Sequence, residues 1–137
     1  MEQISGGVCA AQGFTAAGVH CGIRKNKDKR DLALIYSQVP ASAASVYTSN
    51  LVKGAPLTVT KAHLADGVAQ AIVCNSGNAN TCNADGIQVA QEMCRLTGAA
   101  LGIAPHNVVV ASTGVIGQRL DVTPIAAAMP QLVSELG

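Results

Sequence analysis

The chain has 137 residues, a formal net charge of +1, 49% hydrophobic residues, 2% aromatic residues and no tryptophan. That length can enclose one core, and the core must pack small residues at close backbone distances rather than large rings. The near-neutral balance gives no general attraction to nucleic acid or to an anionic membrane, and the scarcity of aromatics argues against base-stacking surfaces.

The start, Met1-Glu2-Gln3-Ile4-Ser5, lacks the basic and then apolar pattern of a signal peptide. No apolar run reaches the roughly 18 residues of a membrane span. The reading is therefore a cytoplasmic protein, with neither membrane nor nucleic acid as partner. Residues Phe14 to Arg24 read as an extended, glycine-punctuated segment, and Asp31 to Ser37 as a strong strand. Between them Arg24-Lys25-Asn26-Lys27-Asp28-Lys29-Arg30 reads as a solvated hairpin loop, the alternative being a phosphate or polyanion site. Ala44 to Thr48 suggests a short strand, Pro56 to Lys61 a strand or a helix start, and Ala65-Asp66-Gly67 a turn.

The rhythm then changes. Ala71 to Cys74 reads as a buried strand running into a polar turn, Asn75 to Asn80. Ala84 to Leu101 is predicted helical, with Ile87, Ala90, Cys94, Thr97 and Leu101 on its apolar face and Gly98 weakening the last turn. Val108 to Ala111 is the next strand, followed by the polar Ser112-Thr113-Gly114. Thr123-Pro124 supplies an N-cap and a first-turn proline, Pro130 is expected to kink or split that last helix, and Gly137 to cap it. Strands early and a β-turn-α unit twice later predict an α/β layered sandwich with a mixed sheet.

Cys9, Cys21, Cys74, Cys82 and Cys94 are odd in number and contain no C-x-x-C pair, so no metal site is expected and they read as buried, reduced thiols. Cys74, on a strand before a polar turn, is where a nucleophile could sit, but no histidine lies near it in sequence. Both polar segments place hydroxyls, amides and glycine where a strand ends. Each suits either a tight turn or a site that holds developing negative charge. Neither is a phosphate loop, a nucleophile elbow or a dinucleotide fingerprint.

Several segments in order resemble one family. They are Gly13-Phe14-Thr15-Ala16-Ala17-Gly18-Val19, Arg30-Asp31-Leu32-Ala33-Leu34-Ile35, Pro40-Ala41-Ser42-Ala43-Ala44, Val46-Tyr47-Thr48-Ser49-Asn50 and Ala55-Pro56. The most specific are Asn75-Ser76-Gly77-Asn78-Ala79-Asn80 and Ser112-Thr113-Gly114-Val115-Ile116-Gly117. Together they resemble the N-terminal, α-chain part of the ornithine acetyltransferases, the bifunctional glutamate N-acetyltransferases of arginine biosynthesis.

The resemblance implies an autocleaving, N-terminal-nucleophile type of fold. It implies acetyl transfer from N-acetylornithine to glutamate through an acyl-threonine. No cofactor is implied, although acetyl-CoA serves some members as donor. Thr113 and Gly114 are then the oxyanion hole, and Asn75, Ser76, Gly77 and Asn78 an active-site loop. The family's nucleophilic threonine has no counterpart within these 137 residues, so residues 1–137 are expected to be one partial domain of a longer precursor. A β-chain from that precursor is the expected partner, in a heterotetramer of two α and two β chains. An autocleaving aminopeptidase-like hydrolase and an inert small-molecule binder are the alternatives.

Overall fold

The computed structural model describes residues 3–137. Four strands form one sheet in the order β1 (Phe14–Val19), β2 (Leu32–Ser42), β3 (Val68–Asn78) and β4 (Val108–Val115). The first two pairings are antiparallel and β3 pairs with β4 in parallel. The sheet is therefore mixed, as expected. Three helices accompany it: α1 (Ala55–His63), α2 (Gly86–Leu101) and α3 (Thr123–Ser134). The β3–α2–β4 unit is the crossover that parallel neighbours require. Among the described residues no helix is long and apolar enough to cross a membrane.

The strands alternate in burial, which sorts the sheet into two faces. Leu32, Leu34, Val73, Val108 and Val110 are all at most 3% exposed and pack with Met93, Cys94, Ile125 and Leu132 of the helices. The opposite face carries Ala33, Ile35, Ile72, Cys74, Val109 and Ala111 in register, and Ile72 is 40% exposed. The helices thus form one layer over one face of the sheet.

Strand β4 lies at the sheet edge, where unpaired backbone groups need partners. Helix α1 supplies two. The Thr60 hydroxyl donates to the Val110 carbonyl at 2.9 Å and accepts the Val110 N–H at 3.2 Å. His63 Nδ1 meets the Val108 carbonyl at 2.8 Å.

Several local expectations change. The segment 44–48 is not a strand, because β2 ends at Ser42 and the next residues have no strand edge to pair with. Pro56 to Lys61 belongs to a helix, with Pro56 in its first turn. Strand β1 ends at Val19 rather than Arg24, and β2 runs on to Ser42 with a register shift between Tyr36 and Ala41. Pro40, which has no N–H to give the ladder, falls inside that shift. In α2 the buried stripe is Gly86, Val89, Ala90, Met93, Cys94, Thr97 and Gly98, so Ile87 is off the core face and 45% exposed. Gly98 has a packing reason: a Cβ there would lie 2.8 Å from the Ile103 carbonyl oxygen.

Thr123 does not cap α3; its N–H donates to Asp121 Oδ1 at 2.9 Å, and Val122 holds the cap position without a side-chain bond. Pro130 does not split α3, which is continuous from Thr123 to Ser134. It lies on the exposed side, where water can satisfy the carbonyl that lost its partner. Gly137 is no cap either, because it pairs by backbone with Ala16 of β1. The five cysteines are free, but Cys9 and Cys82 are exposed rather than buried.

Candidate functional site

The two polar segments expected as separate turns are the paired ends of neighbouring strands. In the parallel register Asn75 faces Ser112, Ser76 faces Thr113, Gly77 faces Gly114 and Asn78 faces Val115. The turn expectation fails because each segment satisfies the other's backbone, so both remain strand to Asn78 and Val115.

Two glycines make this close pairing possible. Gly77 has φ +108° and Gly114 φ +134°, values that disfavour side-chain-bearing residues. A Cβ on Gly114 would sit 2.5 Å from the Asn78 nitrogen and 2.6 Å from the Gly77 carbonyl oxygen. The backbones therefore touch where any other residue would force them apart. Thr113, one residue earlier, is exposed and its hydroxyl has no partner among the described residues.

An asparagine network holds the end of β3. Asn75 Nδ2 donates to the Asn78 carbonyl at 2.9 Å, and Asn78 Nδ2 to the Gln118 carbonyl at 2.9 Å. Asn78 Oδ1 accepts the Asn80 N–H at 2.8 Å. Asn80 is fully buried at φ +48° and donates through Nδ2 to the Gly86 carbonyl, while its own carbonyl accepts the Ala55 N–H. The beginnings of α1 and α2 are thereby tied to the strand end. Asn75 Oδ1, Asn80 Oδ1 and Ser112 Oγ are buried without a hydrogen-bond partner among the described residues, and Asn75 and Ser112 are register partners.

The basic segment sits beside these residues. Asp31, 2% exposed, accepts the backbone N–H groups of Cys21 at 2.6 Å, Gly22 at 3.2 Å and Arg24 at 2.8 Å. Its own carbonyl accepts the Ser76 N–H at 2.9 Å. Arg24 Nε donates to Ser76 Oγ at 2.8 Å. Residues 22–26 thus bend over the ends of β3 and β4, and a cleft of about 600 Å³ opens between Ile23, Arg24, Lys25, Lys29, Gly77 and Gly114.

Burial pushes the Asp31 carboxyl pKa up, but the backbone donors of Arg24 and Cys21 outweigh it and hold the group below the usual carboxylate value. The folded pKa is the lower one, so the clamp's contribution is full above about pH 4 and is lost on further acidification. Asp31→Asn is expected to cost roughly 2 kcal/mol at neutral pH and to flatten the acid limb of the stability profile. Urea unfolding of the full-length gene product between pH 3 and 7 checks this; an unchanged acid limb would remove Asp31 as its source.

Cys74 is half-buried, burial raises its thiol pKa, and its contact is the Asn75 carbonyl at 3.8 Å. A thiol that is hard to ionise and lacks a base is no activated nucleophile. Residue reasoning missed Asp31, Asn80 and Gln118 as supports of the site. A lone acid closing a basic run before an apolar strand is the signal that marks Asp31. Nothing local marks Asn80 or Gln118, whose roles arise from contacts across the chain.

The ArgJ family model matches residues 15–137. The chain is 50% identical over 129 residues to the arginine biosynthesis bifunctional protein ArgJ of Symbiobacterium thermophilum, covering 93% of this chain and 32% of that protein. It is 48% identical over 130 residues to the ArgJ protein of Geobacillus kaustophilus, covering 93% of this chain and 31% of that one. It therefore spans about a third of the length of these curated relatives. The crystal structure of ArgJ from Bacillus halodurans superposes with a TM-score of 0.87 at 41% identity, over 92% of this chain and 66% of that chain. Ornithine acetyltransferase from Mycobacterium tuberculosis, solved with ornithine, gives 0.89 at 36% identity, over 96% and 71%. The mixed sheet and its three helices match the solved ArgJ structures, and the chain belongs to the ArgJ family.

Proposed function

We propose that this chain supplies the oxyanion-stabilising half of an acetyltransferase that moves the acetyl group of N-acetylornithine to glutamate in arginine biosynthesis. The observation that carries this is the Gly77–Gly114 pairing, which brings two positive-φ backbones together at the cleft, one residue after the exposed Thr113.

In the proposed cycle a threonine from outside these residues attacks the acetyl carbon. The C=O electrons move to oxygen and form a tetrahedral oxyanion. The Thr113 hydroxyl and Gly114 N–H donate to that oxygen. Collapse breaks the C–N bond and releases ornithine, whose amine takes a proton. Glutamate's amine then attacks the acyl-threonine through a second oxyanion in the same place, and collapse breaks the acyl C–O bond, the threonine oxygen recovering the proton that the amine loses. Donors fixed by the sheet need little reorganisation as the charge develops, which is why such sites lower the barrier. Ser76, Gly77, Asn75 and Asn78 shape the wall that holds Gly114. Acetyl-CoA is a second proposed donor, with no bound cofactor.

The open sheet face supports a partner within the same polypeptide. Ile35, Ile72 and Val109 form an apolar row there, and the relatives are about three times as long. We assign that cover to the β-chain of an autocleaved precursor, in a cytoplasmic heterotetramer, with residues 1–137 as part of its α-chain.

The test is an assay of the full-length gene product with N-acetylornithine. Glutamate-dependent formation of N-acetylglutamate, with an acetylated threonine peptide trapped in its absence, is the expected result. Acetate release that ignores glutamate would make the protein a hydrolase instead.

A further inference from the structure

We propose that Ser76 and Arg24 are positioning residues for the Thr113 hydroxyl, an inference that rests on the acyl-transfer reading and adds two side chains to it. Alternation along β3 and β4 puts Ser76 and Thr113 on the open face of the sheet, two residues beyond Cys74 and Ala111. They are register partners on strands about 4.8 Å apart, so the two hydroxyls can meet across the pair. One buried residue fixes the backbone on both sides of Ser76 Oγ. The Asp31 carbonyl accepts the Ser76 N–H at 2.9 Å, and the Asp31 carboxylate accepts the Arg24 N–H at 2.8 Å. Arg24 Nε then donates to Ser76 Oγ at 2.8 Å. The arginine stem lies in space that a side chain on Gly77 would take, since a Cβ there would be 3.0 Å from Arg24 Cγ.

The bond from Arg24 occupies an acceptor position on Ser76 Oγ and leaves the serine proton without an acceptor among the described residues. A hydroxyl that accepts from a guanidinium is a stronger donor, because hydrogen bonds in a chain polarise one another. The exposed Thr113 hydroxyl is the neighbour placed to receive it. During acyl transfer Ser76 donates to Thr113 Oγ and Thr113 donates to the oxyanion, so that each hydroxyl accepts one bond and gives one. Without Ser76 the threonine hydroxyl turns freely to water, and its aim must be found again in every turnover. The Asp31 carboxylate offsets the guanidinium charge at longer range, so Arg24 acts through its bond to Ser76 and not through a general positive field.

The test is a double-mutant cycle in the full-length gene product. Turnover of N-acetylornithine with glutamate is counted per threonine that can be trapped as acyl-enzyme, which leaves unfolded chains out of the count. Ser76→Ala and Arg24→Met are each expected to lower kcat about three- to tenfold with KM unchanged. Ser76→Thr and Arg24→Lys keep a hydroxyl and a cationic donor and should recover most of the loss. In the Thr113→Ala background Ser76→Ala should cost at most about twofold, because the hydroxyl it acts through is gone. Lys27→Gln, exposed on the same loop, should leave kcat unchanged. Losses that multiply in the Thr113→Ala/Ser76→Ala variant, a loss carried by KM, no recovery in Ser76→Thr, or full kcat in Ser76→Ala and Arg24→Met would overturn the inference while the acyl-transfer reading stands. An unsubstituted protein that transfers no acetyl group overturns both.

Discussion

Thr113→Ala in the full-length gene product is expected to slow acetyl transfer roughly ten- to a thousandfold with little change in stability. The stability half follows from position. Thr113 is exposed near the end of a strand and its hydroxyl has no internal partner, so its removal leaves no buried group unsatisfied. The rate half follows from when the hydroxyl acts. A donor aimed at a charge that exists only in the transition state contributes little to substrate binding, so kcat should fall while KM stays close to its original value. Thr113→Ser keeps the hydroxyl and should recover most of the rate. A normal kcat in the alanine variant, with the fold intact, would remove Thr113 from the mechanism.

Gly114→Ala is expected to act on the fold first and on the rate through it. The new methyl group would lie 2.5 Å from the Asn78 nitrogen and 2.6 Å from the Gly77 carbonyl oxygen. Both are backbone atoms in a parallel pairing and have no rotamer to escape into. At φ +134° the alanine is also strained by its own backbone. Overpacking plus strain points to a cost of about 4 kcal/mol, together with parting of the strand ends and loss of activity. Denaturant titration read beside turnover checks both. A cost near 1 kcal/mol with turnover retained would mean that the strands do not approach each other so closely.

How far the residues could be read in advance depends on the range of the interaction that decides each one. The apolar runs of β2, β3 and β4 and the helical spacing of α2 and α3 are short-range patterns, and they marked the elements of a mixed α/β sandwich. The limits of those elements were less legible. Ala44 to Thr48 has strand-like residues but no neighbour to pair with, whereas Asn75 to Asn78 and Ser112 to Val115 have turn-like residues and a perfect neighbour in each other. Pro130 reads as a break, yet packing through Ile125, Met129 and Leu132 carries α3 past it.

The order of motifs along the chain, through Asn75-Ser76-Gly77-Asn78 and Ser112-Thr113-Gly114, was enough by itself to point to the family. The hydrophobic periodicity was enough to specify layers. Only the tertiary structure decided that these two segments meet, because their meeting rests on a parallel register set 37 residues apart in the chain (Gly77 to Gly114) and on the absence of two side chains between them. It also decided where the basic loop lies. Lys25 to Arg30 are exposed, as their charge composition reads them, but nothing local says where a loop points. The buried Asp31 carboxylate and the Arg24–Ser76 bond turn it over the strand ends, and backbone hydrogen bonding at a distance makes that choice.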